Sequence, residues 1–181
     1  MADLGGTVMV VGTDGPPKPS LESLDELGKV LAEVAEAADK RVRLAVEFNW
    51  GPLVKSLRAA RRAVDAANHP RVGILFDTAH YFCTTSKAED LTPATLAKVF
   101  HVHVDDMRDK PAELSNCNND RVLPGEGTLD LKGILGRVAA GGYKGDYAIE
   151  LFTQSIWDLP VAEASRQCYR AMERLSATLA A

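Results

Sequence analysis

Cysteine is scarce here, and its placement is uninformative. The chain has three, Cys83, Cys117 and Cys168, odd in number and widely spaced. They form no CxxC pair, so the expectation is reduced thiols in a cytoplasmic protein. Positive charge is also short: 21 Lys and Arg face 25 Asp and Glu, a net charge of −4. That balance argues against a nucleic-acid partner, whose phosphates need a basic surface. No apolar run approaches the ~20 residues of a membrane span, which argues against a membrane partner. The N-terminus lacks the basic, apolar and small-residue order of a signal peptide. Low-complexity tracts and linkers are missing too, so residues 1–181 read as a single domain, large enough for one substantial core.

What is present is a recurrence. Four short apolar runs each end on a metal-capable side chain: Val42 to Glu47, Val72 to Asp77, Val99 to His103, and Tyr147 to Glu150. Each has strand length and is rich in β-branched or aromatic residues. A further strand is expected at Thr7 to Gly12. Helical patterns lie between the runs, at about Leu24–Asp39 (with Ser23 and Glu26 at capping-box spacing), Leu53–Asn68, weakly Pro93–Lys98, Leu129–Ala140 and Val161–Ala177. Strands alternating with helices predict an α/β domain with a parallel sheet of about five strands. A polar loop from Asp106 to about Thr128 interrupts the pattern; loops of that length are usually functional or disordered.

In a parallel β/α sheet, residues ending strands emerge at the C-terminal rim, where ligands bind. Glu47, Asp77, His103 and Glu150 can therefore converge on one cation, although a lone carboxylate there is as often a helix cap or ion pair. Three oxygens and one imidazole suit Mn2+, Co2+ or Mg2+, and Zn2+ is also compatible. His80, three residues after Asp77, either returns to the same site or is held by nearby backbone. His101 alternates with His103 and shares its sheet face, one layer deeper. Asp105 and Asp106 fit ligand, substrate-contact or capping roles. The Pro124-Gly125-Glu126-Gly127 segment offers backbone N–H groups to a substrate oxygen or phosphate. Arg108 is a candidate anchor for a hydroxyl or carboxylate, whereas Arg58, Arg61 and Arg62 fit a solvated helix face.

As an ordered set, Glu47-Phe48, Phe76-Asp77-Thr78-Ala79-His80, His101 to Asp106, Asp120 to Gly127, Leu129-Asp130, Gly142-Tyr143 and Ile149 to Phe152 resemble the sugar isomerase/epimerase group of xylose-isomerase-like TIM barrels. The similarity is greatest to the inosose (2-keto-myo-inositol) isomerases and covers roughly residues 5 to 175. It implies a partial (β/α)8 barrel holding family strands 4–8 with flanking helices, strands 1–3 having no counterpart. It implies one divalent metal (Mn, Co, Mg or Zn) held by Glu47, Asp77, His103 and Glu150, with His80 facing a sugar or cyclitol substrate. Glu47 and Glu150 would act as acid/base groups in proton transfer through a metal-stabilised enediolate. Two positions depart from the ketose 3-epimerase pattern: Leu53 replaces a Glu six residues after the first ligand, and Asp109 replaces an Arg six after the His. Inosose-type isomerisation is therefore favoured. The alternative is a non-catalytic remnant that binds metal, polyol or a partner chain. Exposed outer strand edges predict a homo-oligomer or poor solubility.

Overall fold

A computed structural model describes residues 1–51 and 53–180. Five strands form one parallel sheet in the order β1 (Val8–Val11), β2 (Arg43–Glu47), β3 (Val72–Asp77), β4 (Val99–Val104) and β7 (Tyr147–Ile149). The expected sheet is present, an open five-strand portion of a barrel. Among the described residues, β1 pairs with β2 alone and β7 with β4 alone, so both outer edges stay open.

Helices α1 (Leu21–Ala37) and α2 (Leu57–Ala67) cover one sheet face. Leu31, Leu57 and Val64 pack there against Leu44, Val46, Ile74, Phe76, Val102 and Val104. Burying each such side chain contributes about 1.5–3 kcal/mol. α1 starts three residues earlier than its periodicity suggests. Its N-cap is Ser20, and Ser23 completes a reciprocal capping box from inside the first turn. α2 starts later than expected because Ser56 caps it by accepting from Ala59 N at 3.2 Å. Its arginines lie outward in ion pairs, Arg62 with Asp25 at 2.8 Å, Arg61 with Asp65 at 2.7 Å and Arg58 with Asp90 at 3.3 Å.

α1 and α2 meet closely at Gly28, where a Cβ would lie 2.5 Å from the Ala63 carbonyl oxygen and 2.7 Å from Ala67 N. Backbone atoms cannot yield as a flexible side-chain tip does. Gly28→Val is expected to destabilise the fold by about 1–3 kcal/mol through overpacking, read as a lower urea midpoint. An unchanged midpoint would contradict the tight contact.

The remaining elements are the short helices α3 (Thr78–Cys83), α4 (Pro93–Leu96) and α6 (Gln154–Trp157), with α5 (Leu131–Ala140) and α7 (Val161–Ala180). The polar loop is not structureless. It folds on itself as a two-stranded antiparallel pair, β5 (Asp106–Met107) with β6 (Arg121–Val122). All three cysteines are free thiols, and no helix among the described residues is long and apolar enough to cross a membrane.

Candidate metal centre

Register puts the four strand-end residues on one face. Glu47 pairs with Leu75, Asp77 with His103, and His103 with Ala148, while Glu150 follows Ala148 by two. Paired residues share a face, as do residues two apart along a strand. All four side chains therefore leave the face opposite α1 and α2. A register irregularity between Ile74 and Leu75 absorbs Phe100 as an extra residue and brings His101 and His103 into line with Leu75 and Asp77.

The four candidate ligand atoms lie within 4.8 Å of one another. His103 Nδ1 is 3.4 Å from Glu150 Oε2, 3.5 Å from Glu47 Oε1 and 3.7 Å from Asp77 Oδ2. Asp77 does two jobs. Its Oδ1 accepts from His80 N at 2.6 Å as the N-cap of α3, which leaves Oδ2 toward the cluster. The capping and ligand readings are thus compatible. A cavity of about 300 Å3 opens beside the cluster, lined by Glu47, Glu150, His80, Trp50, Asn118 and Phe152 among others.

The donor set fits a divalent cation. Glu47 Oε1 and His103 Nδ1 are buried without a hydrogen-bond partner, which is costly unless a cation satisfies them. The electrostatics agree. Burial disfavours a charged His103, yet Asp77, Glu150 and Glu47 outweigh it and drive the imidazole up to about 11. Burial also opposes ionisation of Asp77, but His103, Arg121 and His80 hold its carboxyl below the usual range. His103 keeps Glu150 low as well. Three carboxylate oxygens and an imidazole nitrogen at this spacing demand positive charge. His103→Ala removes the one nitrogen donor and is expected to weaken Zn2+ or Mn2+ binding on the order of 100-fold, measured by competition with a chelating indicator. Unaltered affinity would remove His103 from the set.

His80 lies in the first turn of α3, its Nε2 4.0 Å from Glu47 Oε1 and its Nδ1 without a partner. His101 stays one layer deeper, its ring edge-on to His103 at 5.2 Å between centroids. Arg108 stands apart from the cluster and lines the neighbouring cavity instead.

Nothing in the local sequence marks Arg121 as functional beyond its place in the Asp120-Arg121-Val122 motif. The β5–β6 pairing carries it from mid-loop into the site, where it is fully buried. Its Nη1 lies 2.8 Å from Asp105 Oδ2, 3.0 Å from Glu150 Oε2 and 3.1 Å from Asp77 Oδ2. Nη2 is 3.3 Å from His80 Nε2, and the Phe152 ring covers the guanidinium at 5.3 Å. Asp105, buried and next to the Asp77 charge, is pushed up despite Arg121, and its Oδ1 has no partner.

The Pro124–Gly127 turn does not face a ligand through the amides that were expected to do so. Asp106 Oδ2 accepts from Gly125 N at 3.0 Å and Gly127 N at 3.1 Å, while Oδ1 accepts from Leu129 N at 2.9 Å. Asp106 is therefore the anchor of this turn, a role that needs its carboxylate turned away from the cation site.

With this geometry in place, three comparisons with known proteins agree. The family model for the xylose isomerase-like TIM barrel matches residues 1–174. An inosose isomerase of Halalkalibacterium halodurans is 33% identical over 138 residues, covering 75% of this chain and 49% of that protein. An inosose dehydratase of Lactiplantibacillus plantarum is 28% identical over 137 residues, covering 70% and 46%. The crystal structure of the zinc-bound IolI protein superposes with a TM-score of 0.84 at 28% identity, covering 93% of this chain and 62% of that one. The chain thus spans about half the length of the curated relatives it matches.

Proposed function

The chain belongs to the xylose isomerase-like TIM barrel family, and from that premise we propose that its rim carboxylates move a proton next to the carbonyl of a sugar or cyclitol, with inosose-type isomerisation as the reaction. The observation that carries this reading is the convergence of Glu47, Asp77, His103 and Glu150, two of whose donor atoms are buried without partners. A divalent ion held by these four residues would supply the positive charge that acidifies a C–H bond beside a carbonyl.

The protein groups divide the remaining work. Glu47 lines the cavity, and the carboxylate oxygen not spent on the ion takes the proton or returns it to the adjacent carbon. Glu150 is held low by His103 and, at 3.0 Å, by Arg121, so it stays ionised and serves the opposite face of the substrate. His80 faces the cavity and can donate to a substrate oxygen. Proton abstraction beside a ketone opens both an isomerisation and a dehydration. The higher identity to the isomerase, 33% against 28%, favours the first.

The test is solvent exchange. The chain loaded with Zn2+ or Mn2+ is incubated with 2-keto-myo-inositol in D2O, and loss of the C–H signal next to the carbonyl is followed by NMR. Exchange that stops on adding a chelator supports the reading. Stoichiometric metal uptake with no exchange would assign the chain the binding role alone, as a remnant.

A further inference from the structure

We propose that the β7–α7 edge of one copy docks on the β1–α1 edge of a second copy, joining their sheets head to tail. This interface is independent of which substrate the rim site takes.

The backbone sets the pairing. In a parallel ladder, alternate residues turn both N–H and C=O to the same side. The Thr7 carbonyl accepts from Arg43 N at 2.9 Å, so Thr7, Met9 and Val11 face β2. Val8 and Val10 therefore turn their N–H and C=O outward, where the described residues offer no strand. β7 leaves the same kind of edge at the far side of the sheet. Both edges are uncharged, Val8-Met9-Val10-Val11 and Tyr147-Ala148-Ile149, with no Lys, Pro or bulge to keep a strand away.

The flanking helices supply the side-chain match. On α1, Asp25 and Gly28 face α2. At about 100° per residue, Leu27, Val30 and Val34 lie on the opposite flank, beside β1. Val30 and Val34 are 53% and 41% exposed, an apolar ridge open to solvent. The counterpart on α7 is a groove of about 500 Å3, lined by Tyr169, Met172 and Leu179 with Leu135 and Tyr147 beneath. Leu135 and Leu175 belong to the same core as Leu31 and Leu57, so α7 and α1 cover the same sheet face. Each helix follows a strand and runs back along the sheet. Pairing β7 with β1 of the next copy thus brings groove beside ridge. A β1–β1 or β7–β7 contact would set ridge on ridge or groove on groove.

Charge favours the same arrangement. α1 holds five carboxylates against one lysine, and α7 three arginines against two glutamates. Asp25, Glu36 and Arg166 are already paired. That leaves Glu22, Glu26 and Glu33 on α1, and Arg170 and Arg174 on α7, without an ion pair among the described residues. Two copies of α1 repel one another, whereas α1 and α7 attract.

Sedimentation velocity at protein concentrations on the order of 1–100 μM tests the interface. The wild-type chain is expected to associate across this range. Val30→Glu with Val34→Glu charges the ridge, and Tyr169→Glu charges the groove. Each set is expected to weaken association by about 100-fold. All three side chains are exposed in the single chain, so the fold is kept, which circular dichroism verifies. Mixed one to one, the two variants are expected to associate again, because one keeps its ridge and the other its groove. Val10→Pro removes an outward N–H and no bond to β2, and is expected to weaken association by about tenfold. A wild-type chain that stays single throughout overturns the proposal. So does association that survives either charged set, or a mixture that stays dissociated.

Discussion

Glu47→Gln will slow deuterium exchange on 2-keto-myo-inositol by about 10²–10⁴-fold at saturating metal, the usual contribution of a positioned acid/base group. The amide keeps the shape and one oxygen of the carboxylate but cannot accept a proton from carbon. Glu47 suits this role because it lines the cavity and keeps one carboxylate oxygen beyond the one offered to the ion. Glu150→Gln is expected to fall comparably for a different reason. Its carboxylate is shared with Arg121 at 3.0 Å and His103 at 3.4 Å, so the change also disturbs the neighbours that hold the site together. Metal content measured on the same samples separates lost chemistry from lost cation. Exchange within about threefold of wild type for Glu47→Gln, with metal bound, would rule out its acid/base role.

Arg121→Met will lower the unfolding free energy by about 3–5 kcal/mol, roughly 10²–10⁴-fold in the folding equilibrium. The guanidinium is fully buried among Asp77, Asp105 and Glu150, and removing it leaves those carboxylates without their nearest cation. Arg121→Lys will not restore the loss. A single ammonium cannot reach three carboxylates, the Cys117 carbonyl and His80 as the planar fork does. Adding Asp105→Asn to Arg121→Met is expected to recover part of the stability, because it removes a buried carboxylate together with its partner. Urea titrations of the three variants, run without divalent metal, decide the matter. A midpoint within error of wild type for Arg121→Met would show that the cluster does not depend on this arginine.

These residues were unequally legible. The four strand-end side chains stood out because strand periodicity and the rim rule act on local sequence alone. His103 was separable from His101 by nearness to the strand end, and the register pairs His103 with Asp77 and His101 with Leu75 one layer deeper. The N-terminal limits of α1 and α2 were shifted because a serine caps whichever turn its own extended backbone allows, which Ser20 and Ser56 do here. Arg108 and Arg121 show the harder case. Both lie in the same polar loop, and nothing local says which one turns inward. Pairing of Met107 with Arg121 settles it, sending Arg121 to the carboxylates and leaving Arg108 on the neighbouring cavity. The use of the Pro124–Gly127 amides was hidden for a related reason: their acceptor, Asp106, is about twenty residues away in the chain.

The amino-acid sequence by itself determined the alternation of strands and helices, the parallel sheet and the four candidate ligands, since each follows from short-range periodicity. Tertiary structure alone decided three things. It set the Phe100 irregularity that aligns His103 with Asp77, buried Arg121 among three carboxylates, and placed Phe152 as the shared wall of two cavities. Each depends on contacts between segments distant in the chain, where charge balance and packing choose among side chains that local pattern leaves equivalent.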